Sequence, residues 1–125
     1  MILDTDVLIW FLRGKETAVT AVMDALPFSV SIVTYMELMQ GMRNKQELAK
    51  MKLAFREMDV KVIPISQSIS LHACEYVEEY SLSSSMELAD ALIAATCVES
   101  CEMLYTANDK HYKVVDGLNL KVFRP

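Results

Sequence analysis

The chain lacks the pairing that disulfide or zinc chemistry needs: its three cysteines, Cys74, Cys97 and Cys101, are odd in number and show no CxxC or CxxH spacing. Neither a bridged framework nor a structural zinc site is indicated, and free, buried thiols are expected, with Cys97 and Cys101 one helical turn apart. Long apolar runs are missing too. No stretch reaches the roughly 18 consecutive apolar residues that a membrane span requires. The opening MILDTDVLIWFLRG is charged at Asp4 and Asp6, unlike a secretory leader. These absences read as a cytosolic protein with no membrane partner. Repeats, linkers and low-complexity tracts are also absent, so residues 1–125 read as one domain.

An excess of positive charge is the next absence. Lys and Arg number 12 against 17 Asp and Glu, a net charge of −5, which argues against nucleic-acid binding by bulk electrostatics alone. The imbalance is local. No Lys or Arg occurs between Lys61 and Lys110, whereas Arg43, Lys45, Lys50, Lys52, Arg56 and Lys61 share one segment with only Glu47, Glu57 and Asp59. That basic segment is either a solvated helix face or a phosphate-contacting one.

What the chain does have is apolar surface for a core, with 53% hydrophobic residues. The MIL before Asp4 suits a short buried strand; VLIWFL after it is a helix or a second strand by composition alone. Gly14 ends that segment, and Glu16 to Leu26 places Val19, Val22, Met23 and Leu26 at helical spacing before Pro27. Phe28 to Ile32 predicts a strand. Thr34 with Glu37 three residues on has capping-box spacing for a helix to about Met42. Lys45 to Met58 is amphipathic, with Leu48, Met51, Leu53, Phe55 and Met58 inward. Val60 to Ile65, broken by Pro64, predicts a short strand near a sheet edge. Gln67 to Tyr80 predicts a helix, and the Ser84–Glu87 pair caps another running from about Met86 to Val98. Met103 to Thr106 and Leu120 to Phe123 are strands flanking a turn or short helix at Asp109 to Val114. The alternation predicts an α/β fold: a central parallel sheet of four to five strands with helices on both faces.

Four acids stand at corresponding places in this predicted fold. Asp4 follows the first strand, Glu37 opens the helix after the second, Asp90 lies early in ADALIAATCV, and Asp109 follows the strand MLYT. In a parallel sheet all four lie toward the carboxyl ends of strands, where ligands bind. Asp90 is the most telling. Its helix has no other charge between Ala91 and Val98 and should be buried, and a lone buried carboxylate costs several kcal/mol without a partner. No Lys or Arg is near it in sequence, and helix dipoles cannot cancel the repulsion among clustered carboxylates. A divalent cation can. Oxygen donors without Cys or His select Mg²⁺ or Mn²⁺, ions that keep waters and bind substrate phosphates. Metal-assisted hydrolysis of a phosphodiester follows as the chemistry. Each acid also has a simpler explanation: Asp4 and Asp6 as helix caps, Glu37 as a capping-box member, Asp109 as ordinary turn chemistry.

The segments ILDTDVLIWFLRG, VSIVTYMELMQGM, ADALIAATC and LYTANDKHYKVVDGL, in this order over essentially the whole chain, resemble PIN-domain proteins, in particular VapC-type toxin ribonucleases. The resemblance implies a Rossmann-like sandwich, a Mg²⁺- or Mn²⁺-dependent endoribonuclease site, and homodimerisation. It also implies a cognate antitoxin lying over the site and structured RNA as substrate. By position Asp4, Glu37 and Asp90 match the three core acids of the family. The fourth place, assigned here to Asp109, matches less cleanly, because the family often has an acid at Asn108 or nearer His111. The resemblance gives Thr106 a role in positioning water or carboxylates. It puts Asp6 where the family often has Asn or Ser, and His111 and Tyr112 where an acid and Phe are more usual. Arg43, Lys45 and His111 become candidate RNA contacts, and the helices around Trp10 and Met39 a candidate antitoxin groove. Three alternatives remain: a PIN nuclease of RNA processing with no antitoxin, a Mg²⁺-binding phosphoacceptor signalling domain with Lys110 as its cation, and a binding module whose acidic site is vestigial and which acts only through an association surface.

Overall fold

A computed structural model describes all residues, 1–125. Five strands, β1 (Ile2–Leu3), β2 (Ser29–Ser31), β3 (Lys61–Ile63), β4 (Leu104–Thr106) and β5 (Leu120–Val122), form one parallel sheet in the order β3-β2-β1-β4-β5. Seven helices connect them: α1 (Thr5–Leu12), α2 (Glu16–Asp24), α3 (Ile32–Gln40), α4 (Lys45–Glu57), α5 (Gln67–Ser84), α6 (Leu88–Glu99) and α7 (Asp109–Tyr112). The composition-ambiguous VLIWFL is helical, and β3 is the edge strand that Pro64 suggested.

Consecutive strand residues point to opposite faces, and the core divides accordingly. Ile2 and Leu104 pack with Ile69, Ala73, Ile93 and Ala94 of α5 and α6 on one face. Leu3 and Tyr105 pack with Val7, Val22, Met51 and Phe55 of α1, α2 and α4 on the other. Both residues of β1 are fully buried, which is why two residues suffice for a central strand. Strand order runs outward from β1 in both directions, so the gap between the carboxyl ends of β1 and β4 is a topological switch point.

Several local expectations need correction. The N-cap of α3 is Ser31, whose hydroxyl accepts from Val33 N at 3.1 Å, and not Thr34. Thr34 is fully buried and its hydroxyl faces Thr5 at 3.0 Å. Glu37 therefore sits in the second turn. Similarly, α5 runs through Ser83 and Ser84, and Ser85 ends it in a left-handed conformation (φ 55°). The Ser83 hydroxyl bonds back to Glu79 O at 3.3 Å, which keeps it compatible with helix. Glu87 is then the N-cap of α6, making Asp90 its third residue, with the Asp90 carboxylate accepting from Glu87 N at 3.3 Å. Leu53, expected inward, is exposed beside the buried Met51 and Phe55. Of the thiols only Cys97 is buried; Cys74 and Cys101 are exposed, and Cys101 lies beyond the end of α6, off its helical face.

Candidate active site

Asp4 leaves β1 and caps α1, its Oδ1 accepting from Thr5 N at 2.8 Å. Only 5% of its surface is exposed. Across the switch point Thr106, at the end of β4 and fully buried, donates its hydroxyl to Asp4 Oδ2 at 2.7 Å and accepts from Asn108 N at 2.9 Å. Asp6 lies beside them, Oδ2 accepting from Ala107 N at 3.1 Å with the Thr106 hydroxyl 3.5 Å away. The Tyr112 hydroxyl stands 3.3 Å from both Asp4 Oδ1 and Asp90 Oδ1, so these two oxygens are within twice that distance of each other. On the opposite flank Thr5 Oγ1 donates to Glu37 Oε1 at 2.7 Å. Asp4, Asp6 and Asp90 are thus linked through the hydroxyls of Thr106 and Tyr112, and Glu37 joins them through Thr5, whose hydroxyl bonds Glu37 while its backbone N–H bonds Asp4.

The placement of Asp109 differs. Its carboxylate takes the Arg124 guanidinium at 2.9 Å, and that hydrogen bond holds its pKa below the usual carboxylate range. No hydrogen bond ties it to Asp4, Asp6 or Asp90. His111, two residues on, faces the site instead: Nδ1 is 3.2 Å from Asp90 Oδ2 and 3.0 Å from the Asn108 amide. A carboxylate only accepts, so Nδ1 carries the proton when it bonds Asp90.

The electrostatics show what this cluster lacks. Burial, then the Asp6 charge, pushes the pKa of Asp4 up to about 7 against the hydrogen bonds of Thr106 and Thr5; Asp90 pushes the same way. Asp6 is also raised, by burial first, and Tyr112 is raised by burial and by Asp4 and Asp90. No Lys or Arg forms an ion pair with Asp4, Asp6, Glu37 or Asp90. Desolvated, mutually repelling carboxylates, with hydroxyls and the His111 ring nitrogen as their side-chain neighbours, fit a divalent cation. No three His, Cys, Asp or Glu side chains stand close enough together to hold a metal ion by themselves. Mg²⁺ suits such a site, since it is held by one or two carboxylates and completes its shell with waters and phosphate.

Replacing Thr106 by Val tests the central contact. Thr106→Val keeps the shape but removes the donor to Asp4 and the acceptor for Asn108 N, at an expected cost of about 2–3 kcal/mol in urea unfolding. The lost hydroxyl should also raise the Asp4 pKa further, visible as a displaced carboxyl carbon resonance in a pH titration.

Beside Glu37 a groove of about 860 Å³ runs between α1, α3 and α4, with Ile9, Leu12, Arg13, Arg43 and Lys50 on its walls. Arg43 reaches it while bonded to Glu47 at 2.7 and 3.0 Å. Lys45 is exposed and lies outside the groove, as do Trp10 and Met39. Arg13 and the hydroxyl of Thr5 are site neighbours that the sequence did not single out; Lys50 belonged to the basic segment read as a possible phosphate contact, and Tyr112 was noted without a role for its hydroxyl. For Tyr112 the available signal was a phenol standing where Phe is usual.

A family model described as PIN domain matches residues 1–118. The chain belongs to the PIN-domain family. Among solved structures, this PIN domain is similar to a chain of a toxin–antitoxin complex from Klebsiella pneumoniae, with 27% identity and a TM-score of 0.79 over 94% of this chain and 93% of that one. It also shares its fold with VapBC2 from Rickettsia felis, solved bound to a DNA fragment from their promoter, at 17% identity and TM-score 0.82 over 98% of both chains. VapBC-1 from nontypeable Haemophilus influenzae matches at 21% identity and TM-score 0.78, over 97% of this chain and 96% of that one. No curated protein matches the sequence. No helix of this PIN domain is long and apolar enough to cross a membrane.

Proposed function

We propose that this PIN domain is a Mg²⁺- or Mn²⁺-dependent endoribonuclease and the toxin of a VapBC-type pair, acting in the cytoplasm as a homodimer. The observation that carries the nuclease reading is the acidic cluster at the switch point, which no Lys or Arg pairs: a buried Asp4 joined to Asp6 and Asp90 through Thr106 and Tyr112, with Glu37 held by Thr5, the residue whose N–H bonds Asp4. Asp4 and Asp90 would hold the ion, with Asp6 and Glu37 completing its surroundings. When bound, the ion supplies the positive charge that activates water and stabilises a phosphodiester in transition. The protein's own part is positional. Thr106 fixes the direction of the Asp4 carboxylate, Thr5 holds Glu37 toward the same point, and Arg13, Arg43 and Lys50 in the adjoining groove meet the RNA backbone. Metal and groove together resolve the paradox of an acidic protein acting on a polyanion.

The toxin assignment is supported by the Klebsiella pneumoniae neighbour, which was solved in a toxin–antitoxin complex. The groove beside Glu37 is where an antitoxin segment would cover the site. A PIN nuclease of RNA processing shares the same chemistry and differs only in partner. The phosphoacceptor alternative finds no support, since Lys110 pairs with none of the clustered acids. Two experiments separate the parts. Partner-free protein should cut RNA in Mn²⁺ or Mg²⁺ and be silent in EDTA, and silence in all three would reject the nuclease. Expression should arrest growth and a small antitoxin encoded beside the gene should relieve it; growth unaffected by an active enzyme would leave the RNA-processing role.

A further inference from the structure

Two adjacent residues of α7 converge on one carboxylate. Asp90 Oδ1 is 3.3 Å from the Tyr112 hydroxyl, and Asp90 Oδ2 is 3.2 Å from His111 Nδ1. Tyr112 is 1% exposed, so bulk water cannot satisfy its hydroxyl, and the only side-chain oxygens it reaches are those of Asp4 and Asp90. His111 is steadied in turn by Asn108. Asp109 precedes His111 by two residues, roughly 200° around a helix, and faces the opposite way, onto Arg124. The same guanidinium bonds Ala107 O at 2.9 Å, so Arg124 and Asp109 latch α7 to the chain beyond β5.

We propose that His111 and Tyr112, and not Asp109, complete the site: they are positioning residues that fix both oxygens of Asp90 and join it to Asp4, and so set the affinity for the divalent ion. The proposal rests on the metal-dependent reading above and assigns its fourth place. A ligating carboxylate free to rotate must be ordered by the ion itself, whereas one already held on both oxygens is ordered beforehand. Loss of such outer partners typically costs about 10- to 100-fold in metal affinity.

Mn²⁺ titration followed by calorimetry, with the EPR spectrum of the bound ion, tests this without reference to catalysis. Tyr112→Phe, which keeps the buried ring, and His111→Ala should each bind Mn²⁺ about 10- to 100-fold more weakly and with an altered EPR line shape. His111→Asn places an amide nitrogen where Nδ1 stood and should restore affinity to within about threefold of wild type. Asp109→Asn should bind as wild type does. Wild-type affinity in both Tyr112→Phe and His111→Ala, together with a loss in Asp109→Asn, would overturn the proposal and leave the nuclease intact. No Mn²⁺ binding by the wild-type protein would overturn both.

Discussion

Asp4→Asn is expected to abolish RNA cleavage, by at least about 100-fold, because an amide is a poor ligand for a hard divalent ion, and at the same time to make the protein more stable. The second effect follows from burial. Asp4 is nearly inaccessible and its pKa is pushed up to about 7, by desolvation first and the Asp6 charge second. Above that pH the folded, metal-free protein holds a charge it would more readily expose. Asn removes the charge and keeps the geometry. Its oxygen, placed at Oδ1, still caps α1 through Thr5 N, and Asn caps as well as Asp does. Its amide then faces the Thr106 hydroxyl, which can accept that proton and turn its own toward Asp6, 3.5 Å away. At pH 8 in EDTA the gain should be about 2–4 kcal/mol, or roughly 5–15 °C in melting temperature for a domain of this size. A site residue whose neutral isostere stabilises the fold is one kept for chemistry. A destabilised Asp4→Asn with normal cleavage would reverse the assignment.

Metal-free wild-type protein should in turn lose stability as pH rises. The folded pKa of Asp4, about 7, lies above its ordinary value of 3.8, so between those values the folded state binds more protons than the unfolded one. Stability from this group is complete below about pH 4, falls through the window from 4 to 7, and is lost above it. Asp6, raised in the same direction, adds to the slope. The loss amounts to about 2–4 kcal/mol, each pKa unit being worth about 1.4 kcal/mol. A divalent ion should reverse it, because binding to the folded state alone stabilises in proportion to RT ln(1 + [L]/Kd). Urea unfolding at pH 5 and pH 8, in EDTA and in millimolar Mg²⁺, measures both: the two pH values should differ in EDTA and converge with the ion. Equal stability at both pH values in EDTA would mean that the carboxylates are not strained by burial and proximity.

The parts of this site visible in the sequence were those set by local pattern. Asp4 was legible because MIL is short, apolar and followed at once by an acid, and Asp90 because ADALIAATC is otherwise free of charge. The parallel sheet followed from alternating strands and helices. What escaped was set by contacts distant in sequence. Asp109 reads as a strand-end acid, the least cleanly matched of the four, and what draws it aside is Arg124, 15 residues on, which takes its carboxylate. Tyr112 reads only as a phenol where Phe is more usual; it is buried in the core, and its hydroxyl ends between Asp4 and Asp90, 108 and 22 residues away. Helix starts were misjudged where two hydroxyls competed for one cap. Ser31 wins over Thr34 because Thr34 is consumed inside the fold by Thr5.

The central claim, that these carboxylates form a metal site for cutting RNA, is tested most directly by cleavage of a structured RNA with partner-free wild-type, Asp4→Asn and Asp90→Asn proteins in Mn²⁺ and in EDTA. The account predicts cleavage by the wild type in Mn²⁺ only, and none by either variant under any condition. Cleavage that survives EDTA, or that both variants retain, would contradict it.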